Sequence, residues 1–330
     1  MKKAFFINGG AGRVLCAIPA LEHHILNIDP TAPIIAEAWM DLFLTSKIIR
    51  NNVYNLNHNG LFDILKDREL ISPEPYRLNA YFNQKANLIQ AFDIIINQDV
   101  NATEIPKTKN LNVELGKADI VVAKNLLNEA KGHLQREKVI VFQPFGSGAK
   151  IDGSYIIDTS GRSFEVDDIK KIVKELNKNY AIILMSDIKI PSSEPMNVMT
   201  PEGLNLLQWA ALISEADYFL GCDSVGQHMA NAVGKPSTVI IGATYPENIT
   251  YPENKKFNII DNGKEDRVYS PIRIAFDMIA DRNNENLMKL SDKTTSSIIK
   301  SIESILGKNN FQQSQIPVPP PAQQQTSCCK

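Results

Sequence analysis

The apolar positions of this chain fall into short continuous runs that alternate with stretches of helical spacing. Residues Lys3 to Asn8 contain AFFI, a brief apolar run closed by Gly9, Gly10 and Gly12, which predicts a buried strand opening into a tight loop. From Val14, the residues Leu15, Ile18, Leu21, Ile25 and Leu26 recur at helical spacing, and Pro19 should kink that helix by removing an amide donor. Strands are expected at Pro33 to Ala36 and Val53 to Leu56, a helix at Asn83 to Ile96, and a polar surface connection from Gln98 to Asn112. A second series begins at Lys138. It runs as strand KVIVFQ, helix Val166 to Leu176, strand Tyr180 to Met185, helix Leu204 to Ala216, strand Asp217 to Gly221, helix Ser224 to Val233 and strand Ser237 to Ile241. Such alternation predicts an α/β fold with parallel sheets covered on both faces.

Two series suggest two domains, residues 1–136 and 137–290, and a chain of 330 residues is long enough for two cores. A further helix is expected over 291–308, with Ile298, Ile299, Ile302 and Ile305 on one face and Gly307 at its end. The stretch 309–330 is rich in Pro and Gln, has little to bury, and reads as a disordered tail.

Charge narrows the possible partners. Lys plus Arg number 35 against 37 Asp plus Glu, a net charge of -2, so there is no global attraction to nucleic acid or anionic membrane, and any phosphate site must be local. The opening MKKAFFINGGAGRV is interrupted by glycines well before signal-peptide or membrane-span length, which predicts a cytoplasmic protein without stable membrane insertion. Cys16 and Cys222 fall inside predicted elements, while Cys328 and Cys329 end the tail without a CaaX pattern or basic anchor. Neither metal-ligand spacing nor a CxxC pair occurs, so no metal is expected.

The chemistry concentrates at Gly221-Cys222-Asp223-Ser224-Val225-Gly226, where a strand feeds a helix. The first amides of a helix lack internal partners and carry partial positive charge, so an anion can bind there. Ser224 is a candidate N-cap, and Gly226 would let a diphosphate approach the backbone. An ordinary strand-to-helix turn, with His228 a satisfied core histidine, accounts for any one of these residues alone; their joint occurrence favours a site.

The segment GCDSVGQHMANAVGKPSTVIIGATYPEN resembles the nucleotide-sugar signature of the heptosyltransferase family, glycosyltransferase family 9. VFQPFGSGAKID resembles the opening of that family's second domain, and GGAGRVLCAIPALEHH its amino-terminal glycine-rich loop and helix. The resemblance implies two Rossmann-like domains facing a central cleft, the GT-B arrangement, with the C-terminal helix returning towards the first domain. It also implies transfer of a sugar from a nucleotide-diphosphate donor to an acceptor hydroxyl, inverting and metal-independent, with no cofactor besides the donor as co-substrate. The acceptor would be a glycan or a lipid-linked one; a rival reading keeps the fold but glycosylates modified DNA bases, which the net charge of -2 mildly opposes. Gly12, Lys150, Asp223, Ser224, Val225, Gly226 and His228 would serve the donor, Lys150 as the cation for its phosphates.

The family commonly has an acidic base immediately after the glycine loop, where this chain has Arg13, and a guanidinium is no base at neutral pH. Arg13 would then hold an anionic acceptor or the departing diphosphate, and Asp41 or Glu37 would take the proton. Asp41 alone also reads as a helix-start charge. General-base help is worth roughly 100-fold to 10,000-fold, so its loss would leave a slow enzyme or a nucleotide-sugar-binding protein. A nicotinamide-dependent oxidoreductase is disfavoured, since GxGxxG would need glycine where Leu15 stands. Asp167, Asp168 and Asp266 lie apart from glycine loops and read as capping or solvated charges.

Overall fold

The computed structural model describes residues 2–98, 101, 104–153, 155–158, 160–190, 196–267 and 286–308. The expected tail 309–330, with Cys328 and Cys329, lies outside the described residues.

The first lobe consists of β1 (Lys2–Ile7), α1 (Ala11–Asn27), β2 (Ile34–Ala36), α2 (Met40–Leu44), β3 (Val53–Asn55), α3 (Leu61–Leu65), β4 (Arg68–Ile71), α4 (Asn79–Phe82) and α5 (Leu88–Asn97). Its strands form a parallel sheet in the order β3-β2-β1-β4, with Phe5 paired to Ile34 on one side and Ile71 on the other. The helix α1 continues beyond Pro19 to Asn27, because Val14, Leu15, Ile18, Pro19 and Leu21 are all buried and packing holds the element together. The helix expected from Asn83 begins later, at Leu88. Gln84 adopts a left-handed backbone that no helix continues through, and Asn87 with Gln90 forms a reciprocal capping box at the true start.

The second lobe consists of α6 (Lys117–Leu134), β5 (Val139–Gln143), β6 (Ala149–Asp152), β7 (Tyr155–Asp158), α7 (Val166–Leu176), β8 (Ala181–Leu184), α8 (Leu206–Glu215), β9 (Tyr218–Cys222), α9 (Val225–Ala232), β10 (Ser237–Ile241), α10 (Pro246–Ile249), β11 (Phe257–Asp261) and α11 (Asp292–Leu306). The parallel order is β11-β10-β9-β5-β8, and every residue of β5, β8, β9 and β10 is buried, as strands covered on both faces must be. An antiparallel hairpin, β6 with β7, stands apart from this sheet.

Three placements correct the sequence-based picture. The helix α6 precedes the boundary drawn at 136, yet it packs on α8 and along β5 and β8 of the second sheet. The helix α11, expected to return towards the first domain, packs on the second instead: Ile298, Ile302 and Leu306 share an apolar cluster with Phe142, Ile172 and Leu220. Asp168 is no solvated charge; it is buried and accepts from the Leu290 amide at 2.8 Å. The polar connection after α5 is also held rather than loose. Gln90 donates to the Pro106 carbonyl at 2.7 Å, Asn87 to Thr108 Oγ1 at 3.0 Å, and Lys109 pairs with Asp93.

The lobes meet along α1 and α9, and one apolar cluster runs from Phe5 and Leu15 through to Met229 and Val239. Asn248 adds a polar clasp, donating to the Tyr81 carbonyl at 2.8 Å and the Ala86 carbonyl at 3.1 Å. Among the described residues, no helix is long and apolar enough to cross a membrane.

Candidate donor and acceptor site between the lobes

In each sheet the strand order reverses beside the first strand of its series: between β1 and β4 in the first lobe, and between β5 and β9 in the second. A parallel sheet opens a crevice at the carboxyl ends of its strands where this happens, and ligands of such folds bind there. Here both crevices face a single cavity of 720 Å³. Gly12, Arg13 and Asp41 line it from the first lobe, and Gln143, Arg162, Asp223 and Ser224 from the second.

On the second lobe, the turn after β9 is built around buried polar groups that satisfy one another. Asp223 accepts from Gln227 Nε2 at 2.7 Å and from Thr244 Oγ1 at 2.6 Å. Ser224 occupies the N-cap position of α9 without capping through its side chain; its Oγ accepts from Gln143 Nε2 at 3.2 Å. The cap comes from Gln143, whose Oε1 accepts from the Gly226 amide at 2.9 Å. Gly226 is thus glycine for a reason other than diphosphate approach: it does not line the cavity, and a Cβ there would run into Gln143 and the Phe219 ring. Asp223, Ser224, Val225 and His228 do line the cavity.

The cation beside this turn is Arg162, which the sequence reading missed. Lys150, expected in that role, is exposed on β6, opposite Ile157, and does not line the cavity. Arg162 donates to Ser160 Oγ at 3.0 Å, Ser147 Oγ at 3.3 Å and the Asp223 carbonyl at 3.4 Å, so each η nitrogen keeps a second hydrogen for a ligand. Desolvation works against its charge, but Asp223 and Asp158 outweigh that and raise its pKa. Asp158 organises the loop. It accepts from the Ser160 amide at 2.8 Å and the Ser163 amide at 3.1 Å, and Ser163 Oγ in turn accepts from the Gly146 amide at 2.9 Å. Against the cost of its burial, bonds from the Ser160 and Ser163 hydroxyls, the Ser160 amide and the nearby Arg162 hold its carboxyl below the usual range.

On the first lobe, Gly12 is where the two helices touch: a Cβ would lie 2.7 Å from His228 Cδ2. His228 Nδ1 is 2.6 Å from the Tyr251 hydroxyl and 3.7 Å from Cys16 Sγ. Burial pushes the Cys16 thiol up to about 12 and the Tyr251 phenol well above its ordinary value, so both stay protonated beside the ring. Burial also drives His228 down to about 4, leaving a neutral imidazole packed beside Gly12.

Arg13 lines the cavity, but its charge is already committed. Its guanidinium pairs with Glu74 at 3.2 Å and donates to the Pro73 carbonyl at 2.6 Å, across the β1–β4 crevice, with Tyr76 and Phe92 rings against it. The expectation that Arg13 holds an anionic ligand meets this partner, 61 residues away and beyond the reach of local sequence. Glu37 is also engaged, accepting from the Gly9 amide at 3.3 Å, and it does not line the cavity. Asp41 is exposed in the first turn of α2 and faces the cavity, with Trp39 two residues before it.

Residues 189–269 match the family described as Glycosyltransferase family 9 (heptosyltransferase). None of the curated proteins matches the chain by sequence. Among solved structures, the family 9 glycosyl transferase of Veillonella parvula shares 11% identity over 92% of this chain and 97% of its own, with a TM-score of 0.61. The ADP-heptose lipopolysaccharide heptosyltransferase II of E. coli shares 12% over 92% and 98%, with a TM-score of 0.54. The iron-containing dodecameric glycosyltransferase TibC of enterotoxigenic E. coli shares 11% over 93% and 78%, with a TM-score of 0.53. The chain therefore carries the signature of glycosyltransferase family 9 at residues 189–269, and it resembles that family's structures in fold over nearly all its length.

Proposed function

We propose that this protein transfers a sugar from a nucleotide-diphosphate donor, held on the second lobe, to an acceptor hydroxyl presented from the first. The observation that carries this reading is Arg162 set beside the Asp223–Val225 turn at the β5–β9 crevice, opening on the same cavity as Asp41. As the bond from the anomeric carbon to the diphosphate oxygen breaks, its electron pair stays on the leaving diphosphate. The remaining guanidinium hydrogens of Arg162 and the first residue of α9, Val225, which lines the cavity, are fixed donors for that charge and need no reorganisation. The acceptor oxygen bonds to the anomeric carbon from the opposite face, which inverts it, and gives its proton to Asp41.

A binding protein that has lost catalysis remains the second reading, because Arg13 occupies the position of the family's usual base. The DNA-acceptor reading gains nothing here. Among the described residues lining the cavity, only Arg13 and Arg162 are cationic, and Arg13 is neutralised by Glu74.

The test is a thermal-shift screen of ADP, UDP and GDP and their sugar conjugates, followed by an assay for release of nucleoside diphosphate. Arg162→Gln should weaken the best donor by about 10-fold or more, the range of a lost charge-assisted bond. Asp41→Asn should leave donor binding intact and slow release by at least about 100-fold. Equal stabilisation of wild type and Arg162→Gln would remove the donor assignment, and full activity of Asp41→Asn the base assignment.

A further inference from the structure

The first-lobe wall of the cavity combines three features that select an acceptor by chemistry. The first is Trp39, 44% exposed although large and apolar, with a left-handed backbone at φ 59°. A bulky side chain persists there only when its surroundings over-determine it. The constraint is visible: the indole Nε1 donates to the Gly9 carbonyl at 3.0 Å, fixing the ring at the cavity wall instead of in a core. The second is Asp41, an exposed carboxylate two residues on, lining the same cavity. The third is that the wall's cation, Arg13, is neutralised by Glu74. A rigid aromatic face, a carboxylate acceptor and no uncompensated positive charge suit a ring with one apolar face and an edge of hydroxyls. They do not suit a phosphate.

Resting on the transferase reading above, we infer that the acceptor is an uncharged saccharide whose ring stacks on Trp39 while one of its hydroxyls donates to Asp41. A nucleic acid would also offer rings to Trp39, but it would bring phosphates to a wall whose remaining charge is negative.

The chain has two tryptophans, so Trp209→Phe leaves Trp39 as the sole indole reporter. Its emission is followed in the full chain, with saturating nucleoside diphosphate, during titration with methyl glucoside, N,N′-diacetylchitobiose, glucose 6-phosphate and a thymidine dinucleotide. The expected result is a saturable change with an uncharged sugar at a concentration at least 10-fold below that needed for glucose 6-phosphate or the dinucleotide. By competition melting, Trp39→Ala should weaken that sugar at least 10-fold and Trp39→Phe much less, while the melting shift from nucleoside diphosphate is unchanged in both. Glu74→Gln, by removing the negative charge that neutralises Arg13, should narrow the gap between sugar and sugar phosphate.

Tighter binding of the phosphate or the dinucleotide overturns the inference. So does the absence of any saccharide response while nucleoside diphosphate still stabilises the fold. Loss of the nucleoside diphosphate shift itself would instead sink the donor reading.

Discussion

Replacing Arg13 by methionine tests whether this residue is a tether within the first lobe or a ligand-binding cation. The Arg13 side chain is 4% exposed and that of Glu74 18%, so the substitution leaves a largely buried carboxylate without its partner. Removing one member of a buried ion pair costs about 3–5 kcal/mol, and residual water contact at Glu74 favours the lower end, about 3 kcal/mol. The bond to the Pro73 carbonyl and the stacking on Tyr76 are lost as well, while methionine retains most of the volume. Glu74→Gln keeps an oxygen acceptor for Arg13 and should cost less, about 1–2 kcal/mol. The double mutant should be more stable than the two losses summed, by about 1–3 kcal/mol of coupling. Urea denaturation of the four proteins at pH 7 gives all three numbers, and nucleoside diphosphate affinity should be unchanged throughout. Additive losses, or an Arg13→Met cost below about 0.5 kcal/mol accompanied by weakened donor binding, would refute the tether and restore Arg13 to the ligand.

Further outcomes follow from the same geometry. Gly12→Ala places a Cβ 2.7 Å from His228 Cδ2, and Tyr251 and Cys16 stand behind that ring, so overpacking should lower stability by about 1–3 kcal/mol in urea titration. His228 titrates at about 4 when folded against an ordinary 6.5, so between those values the unfolded chain binds a proton that the folded chain does not. Stability should therefore be complete above about pH 6.5 and fall towards pH 4, on the order of 3 kcal/mol from this residue, with His24 acting in the same sense and His228→Gln flattening the slope. In a Cys328→Ser, Cys329→Ser background, Cys16 and Cys222 should resist a thiol reagent at pH 8 until denaturant is added, because burial holds both as thiols. Fast labelling of the folded protein would contradict that burial.

What could be read from the sequence, and what could not, divides along the range of the interactions involved. Val139–Gln143 and Ser237–Ile241 announced themselves as continuous apolar runs because strands buried on both faces carry their whole explanation locally. The helix α6 did not, since its buried residues Ala123, Leu127, Ala130 and Leu134 include two alanines and give a weak apolar stripe. The hairpin was hidden for the opposite reason: Ile151, Tyr155 and Ile157 are exposed, so its alternation marks no core. Lys150 stood beside the glycines of the second domain's opening and was the cation expected there, while Arg162 was not singled out. Lys150 lies on β6, where Ile151 and Asp152 beside it are exposed as well, while Asp158 and Ser160 hold Arg162 beside the turn after β9. Gln143 carried a usable signal, for a polar residue closing an apolar strand must find partners, and it finds Ser224 and Gly226. Arg13 is the instructive case. Its departure from the family pattern is visible at once, but its meaning depends on Glu74, which reaches it only because β4 pairs beside β1. An arginine where the resembled family would carry its base thus reads as lost catalysis or gained anion binding in one dimension. In three dimensions it is a charge neutralised within its own lobe, leaving Asp41 as the exposed carboxylate that the first lobe presents to the cavity.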